Sequence, residues 1–450
     1  MSDAIKDKYS GIFSDIPELG RICMSAAEKY GSGCIESITA CVSAPTAWLF
    51  ADHVISEAES MGIERLYFLS RDGYLPMKAA EYICSAKHSR IKISYLYVSR
   101  YALRMAAYHF HDESAYEKLF LPSYRMTAGT VMKRAGFSEE ERQAVFRDIG
   151  AEYASENDII DRKSFDILCE RLRGSELFND ILDRRSLAAY EDITGYFRQE
   201  GADGYSRIGI IDIGWTGSMQ AAMKRIFSGS GIDTGIVGWY MGFLAQPPDI
   251  KGCEYSAWLF GADDILKRAG FSHNIAECMF TAPCGMTKGY ELSEGRYQPV
   301  TCPCENDINA LKRLEDISCG IFSAAAESRC FDISEKTASE TAYRLLTSVM
   351  NRPSRSEAEA FGIYRFCDDI SEDYHMPAAE RADRSAFSQE LLFGRIRAKR
   401  NGGRRLYWYF GSLALSDIKH KGCLRSLYIF TEAAVLCAKK VLKWLHRYFR

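Results

Sequence analysis

Short apolar runs, each followed by a polar loop and then by helical spacing, recur along the first two thirds of the chain. Runs without alternation are typical of strands buried on both faces of a parallel sheet. One such strand–loop–helix crossing spans Leu66–Tyr74, after a helix predicted over 46–61, and a second spans Ile208–Gln220. Strand, loop and helix in this order predict a doubly wound α/β sheet.

Further segments complete this fold. Helical spacing with charged faces over about 101–199 predicts a helical insertion. The predicted fold class is therefore α/β, with a Rossmann-like, mostly parallel sheet, a helical insertion and a helical C-terminal region. Additional strands are predicted at Ile91–Val98, Ile236–Leu244 and Tyr255–Phe260, with a hairpin over Gly289–Val300. We expect three segments: N-terminal helices over 1–45, an α/β core over 46–300 that contains the insertion, and a helical region over 301–450.

The last segment is predicted to end in a basic amphipathic helix over 433–450. Its apolar residues fall near one face, and lysines and arginines occupy the rest. Two interpretations remain open at this point. The helix makes peripheral contact with an anionic membrane, or its apolar face docks on the core.

Composition narrows the class of protein. Hydrophobic residues make up 47% and charged residues 26% of the chain, which is ordinary for a globular protein. A net charge of -3 argues against nucleic acid as a partner, because a phosphate backbone requires a concentrated basic surface. The polar first residues lack the apolar region of a secretory signal, and the fifteen cysteines are scattered. We expect a cytoplasmic protein with free thiols.

The loops that follow the two predicted strands carry the candidate chemistry. In an open parallel sheet, ligands bind at the carboxyl ends of the strands. Glycines in a loop allow the backbone to approach an anion, and the N–H groups that open the next helix favour negative charge. Arginine adds a bidentate fork for phosphate. We therefore predict phosphate or substrate binding by Ser70, Arg71, Gly73, Ser99, Arg100, Gly214, Trp215, Thr216, Gly217, Ser218 and Gln220.

Two carboxylates are the catalytic candidates. Asp72 and Asp212 follow the two strands, where a carboxylate can act as a base, bind a sugar hydroxyl or orient a metal. The alternatives are structural: Asp72 holds Arg71 in a salt bridge, and Asp212 caps a helix. Trp215 either stacks on a ligand ring or packs under its loop. No metal-ligand set is predicted, and Mg²⁺ stays open as a cofactor.

Four ordered blocks of sequence resemble a known family. The blocks are Gly62–Leu75, Tyr95–Arg100, Ile211–Gln220, and Glu277–Gly285 with the following Gly289-Tyr290 and Tyr297–Val300. They resemble a family of predicted bacterial HAD-superfamily hydrolases associated with cell-surface polysaccharide and glycosyltransferase loci. The resemblance covers roughly residues 45–300 and is weaker to about 415.

The chain departs from that family in one respect. Longer members carry a HAD phosphatase domain before this region, and its chemistry requires an Asp-x-Asp motif just after a strand. No such motif is found here, so the chain corresponds to the second half of the family architecture. A looser similarity links Asp212–Ser218 to the phosphoribosyltransferase loop, in which acidic residues precede Thr-Gly-Ser, although Ile213 replaces the second acid.

The resemblance implies a phosphorylated sugar or a nucleotide-sugar as ligand, and a glycosyltransferase as a possible partner. The first hypothesis is an enzyme that hydrolyses a phosphoester or transfers a group with a diphosphate leaving group, as a phosphoribosyltransferase does. The second is a non-catalytic module that binds the ligand or serves as a scaffold for the partner.

Overall fold

A five-stranded parallel sheet lies at the centre of the computed structural model, in the order β2-β1-β3-β4-β5. The order is that of flavodoxin-like doubly wound sheets, so the predicted Rossmann-like α/β class is confirmed. The strands are β1 (Arg65–Leu69), β2 (Lys92–Leu96), β3 (Arg207–Asp212), β4 (Gly235–Tyr240) and β5 (Glu254–Ala257). The structure describes residues 3–30, 33–111, 113–123, 126–151, 155–245, 250–366, 369–370, 375–395 and 406–448.

Helices surround this sheet, and two-stranded ribbons lie outside it. The ribbons pair β6 (Thr287–Ser293) with β7 (Arg296–Thr301), which is the predicted hairpin, and β8 (Arg365–Phe366) with β9 (Met376–Pro377). The helices are α1 (Asp3–Ser10), α2 (Pro17–Tyr30), α3 (Cys34–Ile38), α4 (Ala44–Ser60), α5 (Tyr74–Lys87), α6 (Arg100–Tyr108), α7 (Glu113–Leu119), α8 (Thr130–Arg134), α9 (Glu139–Asp148), α10 (Arg162–Gly174), α11 (Glu176–Gln199), α12 (Ser218–Ser230), α13 (Ile265–Ala269), α14 (His273–Phe280), α15 (Ile308–Glu327), α16 (Glu335–Asn351), α17 (Arg355–Gly362), α18 (Arg384–Gln389), α19 (Tyr409–Leu415) and α20 (Lys421–Tyr448).

Alternate side chains of the strands enter two different cores. In β1, Leu66 and Phe68 join a core with α4, α5 and α15, whereas Tyr67 and Leu69 join a core with α6, α11 and α12. This alternation follows from the period of two along a strand. Because both faces are covered by helices, the strands carry apolar residues without alternation, which is the pattern seen in the sequence.

The helical insertion has a core of its own, whereas the two ends of the chain share the main core. Buried residues from Tyr101 to Leu182 form a separate cluster. The main cluster runs from Tyr9 through the sheet to Leu424. The predicted segments therefore describe the order of the chain, while packing joins the N-terminal and C-terminal helices to the sheet.

One helical stretch has the length and hydropathy of a membrane span. It covers Cys34–Ser60, and 83% of its most apolar window is buried inside the protein. The central helix of a protein core passes the same test. Trp48, near the middle of this stretch, is fully buried and donates to the Cys330 carbonyl oxygen at 2.7 Å, so the helix is a core element.

The basic amphipathic helix is present but begins earlier than predicted, since α20 starts at Lys421. Residues 449 and 450 of the predicted helix lie outside the described residues. Leu424 is buried against the core, whereas Phe430 and Leu442 are exposed. The helix therefore packs on the core near its start and contacts α13 farther along, where Lys440 pairs with Asp263 at 2.8 Å, while several of its apolar side chains stay exposed.

Candidate active site

A cavity opens at the carboxyl ends of β1 and β3. These strands are neighbours, but the chain leaves β1 towards β2 on one side and reaches β3 on the other. Such a reversal of strand order creates the crevice in which doubly wound proteins bind ligands. The cavity measures about 370 Å³, within the range of small-molecule sites, about 300–1,000 Å³.

Both predicted loops contribute to this cavity. Eleven of the thirteen predicted site residues line its wall. They are Ser70, Arg71, Asp72, Ser99, Arg100, Asp212, Gly214, Trp215, Thr216, Gly217 and Ser218. Residues that are far apart in sequence therefore converge at one place, as expected for the ends of parallel strands.

Four carboxylates line the cavity: Asp72, Asp212, Glu277 and Asp369. Burial raises the pKa of Asp72 well above its usual range, and the charges of Glu277 and Asp212 raise it further, against the opposing effect of Arg71 and Arg100. Asp72 has no hydrogen-bond or ion-pair partner among the described residues, so its predicted alternative role in a salt bridge to Arg71 is not observed.

Asp212 is held in a defined orientation. Its Oδ1 accepts a hydrogen bond from the Gly214 N–H at 3.0 Å. Burial raises the pKa of Asp212 to about 6, although the Gly214 N–H opposes the shift, and Glu277 adds to it while Arg100 opposes it. Burial thus favours the protonated form of Asp72, whereas Asp212, with a pKa of about 6, is able to ionise near neutral pH. This difference is the condition for an acid and a base to act together.

Positive charge and helix N-termini face these carboxylates. Arg100 opens α6, lines the cavity and has no hydrogen-bond or ion-pair partner in the described part of the chain. At the start of α12, the N-cap residue Gly217 provides no side-chain cap for the first N–H groups. Unsatisfied N–H groups at a helix start attract anions. Arg71 also lines the wall, so an anion meets two guanidinium groups there.

The loop after β3 depends on its two glycines. A Cβ atom at Gly214 would lie 2.3 Å from Asp212 Oδ2, and one at Gly217 would lie 2.5 Å from Ile250 Cδ1. Gly217 also has a φ of +66°, which side chains other than glycine rarely adopt. These close approaches allow the loop to fold tightly around the aspartate.

The hydroxyl groups divide into two kinds. Ser70 Oγ donates to the Val98 carbonyl oxygen at 2.6 Å, and Ser99 Oγ donates to the Thr287 carbonyl oxygen at 2.6 Å. Both hydroxyls are therefore engaged in structure, although both serines line the cavity. Thr216 and Ser218 have no hydrogen-bonded side-chain partner among the described residues, and their hydroxyls are available to a ligand.

Two predicted binding residues do not line the cavity. A Cβ atom at Gly73 would lie 2.5 Å from the Leu69 carbonyl oxygen, so this glycine serves the turn between β1 and α5. Gln220 is fully buried. Its Nε2 donates to the carbonyl oxygens of Ile236 and Glu254, and its Oε1 accepts from the Tyr240 hydroxyl. The Gln220 side chain therefore lies outside the cavity, and its polar atoms tie α12 to β4 and β5.

Trp215 combines the two alternatives left open by the sequence. Its ring packs on Phe271 at a centroid distance of 5.3 Å. Its Nε1 donates to Glu277 Oε1 at 2.9 Å, and the residue also forms part of the cavity wall. The indole therefore orients Glu277 and offers an apolar surface to the cavity.

Several wall residues were not predicted from the sequence. They come from α14, β6 and the segment around β8 and β9, which lack the strand–loop–helix pattern. Glu277 could have been found, because it opens the fourth block of the family resemblance. The group comprises His273, Glu277, Cys278, Thr281, Thr287, Tyr364, Arg365, Asp369 and His375.

Other chemistries are less well supported. Burial raises the pKa of the Cys278 thiol, and Glu277 raises it further, so this cavity cysteine is protonated near neutral pH and is not a ready nucleophile. Among the described residues, no group of three or more His, Cys, Asp or Glu side chains is arranged to hold a metal ion.

Comparison with known proteins adds no assignment: the chain matches no protein-family model and no curated protein. The class defined by the fold is that of α/β proteins with a Rossmann-like parallel sheet.

Proposed function

We propose that the protein binds a phosphorylated sugar or a nucleotide-sugar in the cavity between β1 and β3, and that it catalyses cleavage or transfer at the phosphoester. The observation that carries this proposal is the Arg100 guanidinium, which has no ion-pair partner among the described residues and lies with Asp72 and Asp212 at the reversal of strand order. The Arg100 guanidinium, the helix start at Gly217 without a side-chain cap, and the Thr216 and Ser218 hydroxyls match the acceptor oxygens of a phosphate.

The two carboxylates supply the proton transfers of such a reaction. Ionised Asp212 takes a proton from the attacking water or hydroxyl group as the new P–O bond forms. Protonated Asp72 gives its proton to the leaving oxygen as the old P–O bond breaks. Each carboxylate ends in the state in which the other began, so the proton count balances.

A phosphoribosyltransferase-like reaction has weaker support. That resemblance rests on an acidic pair before Thr-Gly-Ser, and here the second position is Ile213. Ile213 is fully buried in the main core, so it offers nothing to a ribose or a metal. Cytoplasmic localisation and a glycosyltransferase partner remain part of the proposal, as the family resemblance implies.

Ligand binding is tested with Arg100→Gln. We expect wild-type protein to be stabilised by inorganic phosphate, sugar phosphates or nucleotide-sugars in thermal-shift and calorimetric titrations. Loss of one charge-assisted contact should weaken binding by about tenfold to a hundredfold. Arg207→Gln is the matched control, because Arg207 pairs with Glu254 at the opposite end of β3. Equal affinity in wild type and Arg100→Gln would refute the phosphate site.

Catalysis is tested separately on the ligands that bind. Product analysis should detect turnover by wild type, and Asp72→Asn and Asp212→Asn should each reduce kcat by about a hundredfold or more while ligand still binds. Binding by wild type without turnover would favour the non-catalytic module. Full turnover by the double variant would remove both carboxylates from the mechanism.

A further inference from the structure

The C-terminal helix α20 exposes an unusual amount of apolar surface. Fifteen large hydrophobic side chains are exposed in the described part of the chain, and five of them lie within this single helix: Leu427, Phe430, Val441, Leu442 and Trp444. Isolated exposed hydrophobic residues are normal, whereas a concentration on one element marks an interaction surface.

Four of these side chains form a stripe on one side of the helix. At 3.6 residues per turn, Leu427, Phe430, Val441 and Trp444 fall within an arc of about 100°. The helix packs on the protein through another side, where Leu424 and Thr431 are buried. Leu266 is also exposed, on helix α13, which contacts α20.

The helix carries a large excess of positive charge. Its sequence contains six lysines and arginines but only one acid, Glu432, in a chain whose net charge is -3. Glu432 is already paired with Arg395. Lys439 is exposed, and it lies outside the apolar arc. A helix with aromatic and aliphatic residues on one face and basic residues on the other matches an anionic lipid surface.

We propose that α20 binds the surface of an anionic membrane, lying in the plane of the interface with Phe430, Val441 and Trp444 inserted among the lipids. Charge favours lipid over a second copy of the chain. Self-association through this stripe would bring together two cationic helices whose neighbouring acids are already paired, Glu432 with Arg395 and Asp263 with Lys440, which costs energy. This inference is independent of the proposed function of the cavity.

The test is flotation of the full-length protein with vesicles. We expect wild type to float with phosphatidylcholine vesicles that contain phosphatidylglycerol. With vesicles of phosphatidylcholine alone, we expect it to stay at the bottom of the gradient. The double variant Phe430→Ser, Val441→Ser should lower the partition coefficient by about tenfold or more, because both side chains lose their apolar burial in lipid. Lys439→Glu should lower it by about tenfold through charge alone.

The control is Ile167→Ser, Leu292→Ser, which removes two exposed apolar side chains from other elements. It should float like wild type, and circular dichroism should show that all variants keep their fold. Equal flotation with both kinds of vesicle, or equal flotation of wild type and Phe430→Ser, Val441→Ser, would overturn the proposal. The proposal would also be overturned if light scattering showed that wild type is a dimer, that Phe430→Ser, Val441→Ser makes it a monomer, and that wild type does not bind vesicles.

Discussion

At the scale of single residues, the cavity places acidic groups where they cost stability. Asp212 is almost completely buried and its pKa is raised to about 6, chiefly by burial. A buried carboxylate with a structural role is stabilised differently. Asp52 pairs with Lys87 at 2.7 Å and accepts the Asp332 N–H at 3.0 Å. This contrast agrees with the role proposed for Asp212 in the cavity.

This contrast predicts the pH dependence of stability. Because its pKa is raised, folded Asp212 holds a proton between about pH 4 and 6 that the unfolded chain has released, so its contribution to the free energy of unfolding declines as pH rises through this window. Above pH 6, ionised Asp212 lowers the free energy of unfolding by about 3 kcal/mol. In urea unfolding, we expect the free energy of unfolding of Asp212→Asn to exceed that of wild type by up to this amount at pH 8. The difference should vanish towards pH 4.

Asp52→Asn is the control for that measurement. The free energy of unfolding of Asp52→Asn should be lower than that of wild type by about 2 kcal/mol at pH 8, because a charge-assisted contact is removed. If Asp212→Asn is also less stable than wild type at pH 8, the burial of Asp212 does not carry the proposed cost.

At the scale of elements, the apolar runs predict the sheet well, but side-chain direction limits the prediction of the site. All five strands occur where the sequence predicts strands, and the three central ones, β1, β3 and β4, carry apolar runs without alternation because helices cover both faces of the sheet. Gln220 belongs to the predicted crossing yet points into the protein, since it lies on the side of α12 that faces β4. Glu277 enters the cavity from α14, and only the fold determines that neighbourhood.

The structural role of Gln220 gives a prediction for α12. Gln220→Leu removes three buried hydrogen bonds, so we expect a loss of about 3 kcal/mol in the free energy of unfolding, at about 1 kcal/mol for each. Phosphate affinity of the folded protein should stay unchanged in calorimetry. Tyr240→Phe, which removes one of the three bonds, should cost about a third as much. A selective loss of phosphate affinity with full stability would restore Gln220 to the binding site.

At the scale of the whole molecule, the cavity is assembled from three distant parts of the chain. The two crossings line one part of it, and α14 and β6 line a second. A third part is lined by Tyr364, Arg365, Asp369, Ile370 and His375. Sequence periodicity identifies the first part only, because the others carry no repeated strand–loop–helix pattern. The order of strands explains why the crossings meet, and tertiary packing alone brings the remaining walls to them.

One buried ion pair connects the helical insertion to this last wall. Arg134 Nη2 lies 2.6 Å from Asp369 Oδ2, both side chains are almost fully buried, and Arg134 also donates to the Leu119 carbonyl oxygen at 2.8 Å. Removing one partner leaves a buried charge uncompensated. We therefore expect Arg134→Met to lower the free energy of unfolding by about 3–5 kcal/mol in urea titrations.

The double variant Arg134→Met, Asp369→Leu tests whether the two charges are coupled and whether the cavity depends on them. Removal of both charges should recover much of the lost stability, since apolar replacement of a buried pair is often neutral. If the cavity wall depends on this pair, the double variant should still bind phosphate more weakly than wild type, although Arg100 and α12 are intact. A double variant whose loss equals the sum of the two single losses would show that the pair is not coupled. Unchanged phosphate affinity would show that the two crossings alone form the anion site, with the insertion contributing only to stability.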